Sequence, residues 1–285
     1  MPYVAIEFSR VSLESGGVRG DIATLGPIDG LTLGDFKLMA NWNDPRPTST
    51  GFGASPSLSG NWDRSTVYDA GLRRHMLSIY NYMASGVLLS GVVALGFAAS
   101  GMAEAILTSP LRWLIALSPL AFTMVMSFGV NRLSTTAMRG LFWAFSVAMG
   151  LSLSAIFLIY TGPSIAVTFF ATAGAFAGLS LFGYTTSKSL SGMGTFLIMG
   201  LVGILIASLV NMFLHSPGLA WGISFLGVLL FAGLTAYDTQ RLKSQYSQVA
   251  GTEMAGKAVI LGALQLYLDF INMFMFLLRF MGDRR

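Results

Sequence analysis

The chain has 285 residues, of which 54% are hydrophobic and only 11% charged, with a mean hydropathy of +0.67. A soluble domain carries about 25% charged residues, so this chain has too little charge to cover a water-soluble globule of its size. The absence of cysteine excludes disulfides, thiolate nucleophiles and cysteine-based metal sites. The net charge of +4 does not point to nucleic acid, because Lys and Arg are spread over short connections and form no patch.

In chain order, residues 1–38 show weak, irregular hydrophobicity, without the basic and apolar regions of a signal peptide. They are read as a non-native or unstructured extension, since Met39-Ala-Asn-Trp-Asn-Asp-Pro45 looks a more natural start. Residues 39–77 are expected to be a cytoplasmic flexible tail, rich to about Val67 in Pro, Gly, Ser, Thr and Asn and too polar to bury a core. The membrane domain is expected over 78–282, with apolar spans at about 79–100, 112–131, 139–160, 164–184, 194–214, 219–240 and 259–280. Each has the roughly twenty residues that a bilayer core demands of a helix. The fold class is therefore an all-α membrane protein of seven transmembrane helices.

Basic residues divide unevenly between the two sides. Arg73, Arg74 and His75 precede the first span, Arg132 and Arg139 flank the second connection, Lys188 lies in the fourth, and Arg241, Lys243 and Lys257 lie in the sixth. The other connections hold only Glu104 with Arg112, Tyr160 to Ser164, and His215 to Gly218. The positive-inside rule then puts the amino terminus in the cytoplasm, and the short loops suit a bacterial inner membrane. A seventh full span exports Arg279, Arg284 and Arg285 against this bias. A full crossing is expected, with a re-entrant segment buried among the other helices as the alternative.

Small residues at Gly86 and Ser90, Gly174 and Gly178, and Gly200 and Gly203 are expected to let helices approach closely. The methionines and the Phe-rich stretch 270–280 are expected to pack or face lipid.

An aspartate at a helix centre costs about 2.5–3.5 kcal/mol to insert, so such residues face the bundle interior and tend to be functional. Two qualify, Asp238 at the end of the sixth span and Asp269 within the seventh. Asp269 is expected to be the more deeply buried, and the two to meet in the cytoplasmic half. Gln265, Asp269, Asn272 and Arg279, at offsets of 4, 3 and 7, share one helical face. This polar seam either supports the aspartates or simply joins helices by hydrogen bonds of about 0.6–2 kcal/mol each. For Asp238 the lesser alternative is a helix-end residue in the headgroup region, paired with Arg241 or Lys243.

The segments Ala236-Tyr-Asp-Thr-Gln240 and Ala263-Leu-Gln-Leu-Tyr-Leu-Asp-Phe-Ile-Asn272, with the run ending Leu278-Arg-Phe280, resemble the Bax inhibitor-1, or transmembrane Bax-inhibitor-motif, family. Gly183 to Ser191 and Gly150 to Ser154 look like its loop and third-span patterns, and the resemblance covers roughly 70–282. It implies seven helices with the last one central. It also implies a pH-sensitive site for a cation leak, chiefly Ca²⁺, formed by the aspartates of the sixth and seventh helices, here Asp238 and Asp269. An arginine at the cytoplasmic end of the second helix, mapping onto Arg132, would be the partner of the pair. The connection from Asp238 to Asp269 is longer than in compact bacterial members, with Ser244 to Gly256 as the expected insertion.

Two carboxylates in one site repel when both are ionised and titrate as a coupled unit. A proton or a hard cation relieves that repulsion, and Ca²⁺ takes oxygen ligands. A guanidinium at Arg132 would hold the pair closed through bidentate hydrogen bonds. The expected function is thus a proton-gated Ca²⁺ leak channel or transporter. The pair is the pH-sensing and metal site, Gln265 and Asn272 are supporting residues, and no other cofactor is expected. The expected partners are the lipid bilayer, Ca²⁺ or protons and other membrane proteins, but no nucleic acid.

A rival reading is a membrane scaffold acting on protein quality control or stress machinery. An intramembrane aspartyl protease fits less well, because Leu266-Tyr-Leu precedes Asp269 where those enzymes carry Gly-x-Gly, so no enzyme is expected. A serine hydrolase would need His215, on the side away from the basic connections. No phosphate-binding loop, dinucleotide fingerprint or histidine cluster supports ATP-driven or redox chemistry.

Overall fold

A computed structural model describes residues 61–285. The extension over 1–38 and the tail to residue 60 lie outside the described residues. Nine helices follow among the described residues: α1 (Asn61–Ala99), α2 (Met102–Thr108), α3 (Leu111–Gly129), α4 (Thr135–Leu153), α5 (Ala155–Ile159), α6 (Gly162–Thr185), α7 (Ser191–Leu214), α8 (Pro217–Val249) and α9 (Met254–Met281). Seven segments are long and apolar enough to cross a membrane, α4 and α5 together forming one of them. Local chemistry sets several ends. The Ser134 hydroxyl caps α4 by accepting from the Ala137 N–H at 3.1 Å. Ser216 caps α8 ahead of Pro217, whose fixed φ suits a first helical turn.

Two helices run further than the apolar pattern indicates. Residues 61–77, read from sequence as the end of a flexible tail, form the start of α1, and Ser244 to Val249, read as part of an inserted loop, continue α8. The two extensions support each other. The Tyr246 ring lies 5.3 Å from Tyr68 and 5.2 Å from His75, and its hydroxyl fills the place that a side chain at Gly71 would take. Leu72, His75 and Met76 are buried in consequence.

The last helix is central. In its most apolar stretch 61% of residues are buried, against 11% in α3 and α7. It packs against α8, α1, α6, α4 and α3. Its first turn lies at the α3–α4 connection, where Lys257 Nζ donates to the Val130 carbonyl at 2.9 Å and Gly256 adjoins Thr135. Its other end meets the α5–α6 connection, where the Thr161 N–H donates to the Asp283 carbonyl and the Arg285 N–H to the Ile159 carbonyl. α9 therefore spans the whole bundle and is not re-entrant.

Small residues serve packing in part. Gly86 lies against Phe142, and Gly150 against the Ser90 carbonyl and Val93, closing the α1–α4 seam. There Ser90 Oγ lies 2.6 Å from Tyr267 Oη of α9 and donates to the Ser146 carbonyl at 2.6 Å. Gly200 meets Leu230, whereas a Cβ at Gly174, Gly178 or Gly203 would meet open space. Among the described residues no helix lies over the last three glycines, so they serve no close helix packing there.

Candidate functional site

The strongest pairing in the bundle, α8 on α9, brings Asp238 and Asp269 together. α8 reaches Asp238 about 16 Å before its carboxyl end, and Asp269 stands about 22 Å into α9, at 1.5 Å per residue. With Leu242 of α8 packed antiparallel on Gly262 of α9, Asp238 lies about 6 Å and Asp269 about 10 Å further into the bundle, one turn apart and close enough for their side chains to meet. Their carboxyl groups face one another within hydrogen-bonding reach once one carries a proton. Both aspartates are buried, each 5% exposed, and Asp269 is the more deeply enclosed by protein, as expected. They also differ in partners. Asp269 Oδ2 is the one buried side-chain oxygen or nitrogen among the described residues with no hydrogen-bond partner. A buried oxygen left without a partner is costly, and an arriving proton, water or cation would relieve that cost.

Gln265, one turn before Asp269, lies beside the Asp238 carboxyl, as the shared helical face leads one to expect. Asn272 turns to its own helix, its Nδ2 donating to the Leu268 carbonyl at 2.8 Å. Arg279 lies at the far end of α9 over the Phe276 ring. The polar seam therefore divides: Gln265 lies beside the carboxylate pair, and Asn272 and Arg279 make other contacts.

The structure does not bring Arg132 to the pair. It is exposed in the α3–α4 connection, level with Lys257, which is twelve residues or about 18 Å along α9 from Asp269 and beyond an arginine's reach. The cation facing Asp238 is Arg241, three residues further along its own helix.

Three features were not foreseen from sequence. A chain of hydroxyls crosses the bundle beside the pair, from Tyr80 on α1 to Ser180 on α6 at 2.6 Å and on to Thr239 on α8 at 2.9 Å. Thr239 adjoins Asp238 and is fully buried. Gln240 fastens the α6–α7 connection to α8, accepting from the Leu190 N–H at 2.7 Å and donating to the Lys188 carbonyl at 2.8 Å. Lys243 Nζ adds a hydrogen bond to the Tyr184 carbonyl at 2.8 Å. Gly183 permits this approach of α6 and α8, because a Cβ there would strike the Ala236 carbonyl. Only the motif Ala236-Tyr-Asp-Thr-Gln240 hinted at this cluster; hydroxyls on three distant helices carry no periodic signal.

These features define a seven-span α-helical membrane protein built around a central last helix, with a carboxylate pair enclosed between its last two spans. Residues 72–285 match the model of the family described as inhibitor of apoptosis-promoting Bax1. The inner membrane protein YbhL of Escherichia coli (strain K12) is 46% identical over 220 residues, covering 76% of this chain and 94% of that protein. An uncharacterized protein of Caulobacter vibrioides is 44% identical over 229 residues, covering 76% and 91%. The uncharacterized protein RP147 of Rickettsia prowazekii is 43% identical over 223 residues, covering 78% and 94%. The chain belongs to the Bax inhibitor-1 family.

Proposed function

We propose that this protein is a pH-sensitive cation leak pathway, with Ca²⁺ as the ion and the Asp238–Asp269 pair as the element that binds it and responds to protons. The observation that carries this reading is the enclosed pair itself, with Asp269 Oδ2 buried and without a hydrogen-bond partner among the described residues. Two facing carboxylates concentrate negative charge where lipid surrounds the bundle, and either a proton or a hard cation neutralises it. No cluster of three or more His, Cys, Asp or Glu occurs among the described residues. The pair would thus hold Ca²⁺ with only water or carbonyl oxygens to complete its shell, weakly enough to release it.

Gln265 steadies Asp238, and Arg241 supplies the resting positive charge in this conformation. A latch through Arg132 would require the α3–α4 connection to move toward the pair. We place the chain in a bacterial inner membrane with its amino terminus in the cytoplasm, because the connections at the Arg241 end carry most of the basic residues.

Purified protein in liposomes loaded with a Ca²⁺ indicator tests the reading. Wild type should admit Ca²⁺, and Asp269→Asn and Asp238→Asn should each change the rate by about tenfold, the effect of about 1.4 kcal/mol at the site. Equal flux in wild type and both variants would contradict it. Loss of a co-purifying membrane partner with unchanged flux would favour the scaffold reading instead.

A further inference from the structure

α1 and α6 stand side by side without packing on one another, and the Tyr80–Ser180 hydrogen bond bridges the gap. The result is a groove of about 720 Å³ that is open on one side. Leu77, Ala84 and Leu88 form one wall, Ala173, Ala177 and Leu181 the other, and Phe270 of the central helix lies at its floor. Leu77, Leu88 and Leu181 are at least half exposed, so in a bilayer the open side meets lipid. One end is different in kind. Arg73 stands there, beside Tyr184, whose carbonyl and ring both take the Lys243 ammonium.

We propose that this groove is a binding site for one anionic phospholipid, with an acyl chain between α1 and α6 and its phosphate at Arg73. Length supports the assignment. From Arg73 to Leu88 is fifteen residues, about 22 Å of helix, which matches one leaflet with its headgroup, half of the roughly 40–45 Å bilayer. The groove thus runs from headgroup level to the midplane, cationic at the wet end and apolar for the rest. Charge complementarity selects the lipid class, because a guanidinium pairs with a phosphate that carries net negative charge. Such a lipid would also cover the Tyr80 and Ser180 hydroxyls on the groove wall, which link α1 and α6 to Thr239 of α8.

Native mass spectrometry of the full chain, released from micelles containing palmitoyl-oleoyl phosphatidylglycerol or the corresponding phosphatidylcholine, tests the proposal. Wild type should retain one phosphatidylglycerol and prefer it to phosphatidylcholine. Ala177→Trp should abolish that retention by filling the groove from an exposed position, with an unchanged melting temperature. Ala121→Trp, on the outer surface of α3, should leave retention intact. Arg73→Gln should still bind lipid but lose about fivefold of the preference for the anionic headgroup. Undiminished retention in Ala177→Trp, or equal binding of both lipids by wild type, would overturn the proposal. So would a dimer that Ala177→Trp dissociates, since a second copy would then occupy the groove.

Discussion

Gly183 shows how much of the site depends on a missing side chain. Its α-carbon sits where α6 touches the Ala236 carbonyl, two residues before Asp238, and any Cβ would force the helices apart. Gly183→Val should therefore destabilise the protein by about 1–3 kcal/mol, the usual cost of overpacking, read as a lowered melting temperature in detergent. Gly178→Val, at a position open to the surroundings, should leave it almost unchanged. At this scale the proximity of Asp238, Asp269 and Gln265 was legible in the sequence, because a charge in an apolar run is conspicuous and helical offsets say which neighbours share its face. Asn272 and Arg132 show the limit. Asn272 shares the face but satisfies its amide on the preceding turn. The distance of Arg132 from the pair depends on where the α3–α4 connection docks along α9, which no spacing within α3 records.

Among the elements, the spans were legible because a bilayer imposes a length on apolar runs, yet the ends of α1 and α8 were not. Their extensions are polar and gain order from each other, through Tyr246 packed on Tyr68, His75 and Gly71. The α6–α7 connection is likewise held by one side chain of α8, Gln240, which satisfies backbone groups of both Lys188 and Leu190. Gln240→Leu keeps the length but removes both hydrogen bonds. Brief trypsin treatment should then cleave at Lys188 several-fold faster in the variant than in wild type, since local opening of a few kcal/mol governs such cleavage. Equal cleavage would mean that the connection is held by other contacts.

For the whole molecule, the two ends of the bundle differ in chemistry. The connections holding Lys188 and Lys257 lie at the Asp238 end, and those holding Tyr160 and His215 lie at the other. The arginines after α9 belong to this second end, so the full crossing of the last helix overrides the charge bias. Helix packing accounts for it, because α9 is the core of the bundle and its direction is set by the helices around it. The natural absence of cysteine makes topology directly measurable. A membrane-impermeant maleimide added outside right-side-out vesicles should label His215→Cys and leave Ser187→Cys unlabelled until the membrane is opened. The reverse pattern would invert the assigned orientation.

The carboxylate pair bears on all three scales, since it is buried by α9, placed by the α8–α9 register and set where burial disfavours charge on both carboxyls. A falling pH protonates carboxylates, so cation binding at the pair should weaken as pH falls, whichever way the path itself is gated. The most direct measurement is Ca²⁺ flux into liposomes across pH 6–8 for wild type and Asp269→Asn. Wild-type flux should vary with pH and the variant should lose that dependence, whereas the same pH profile in both would show that the pair is not the sensor.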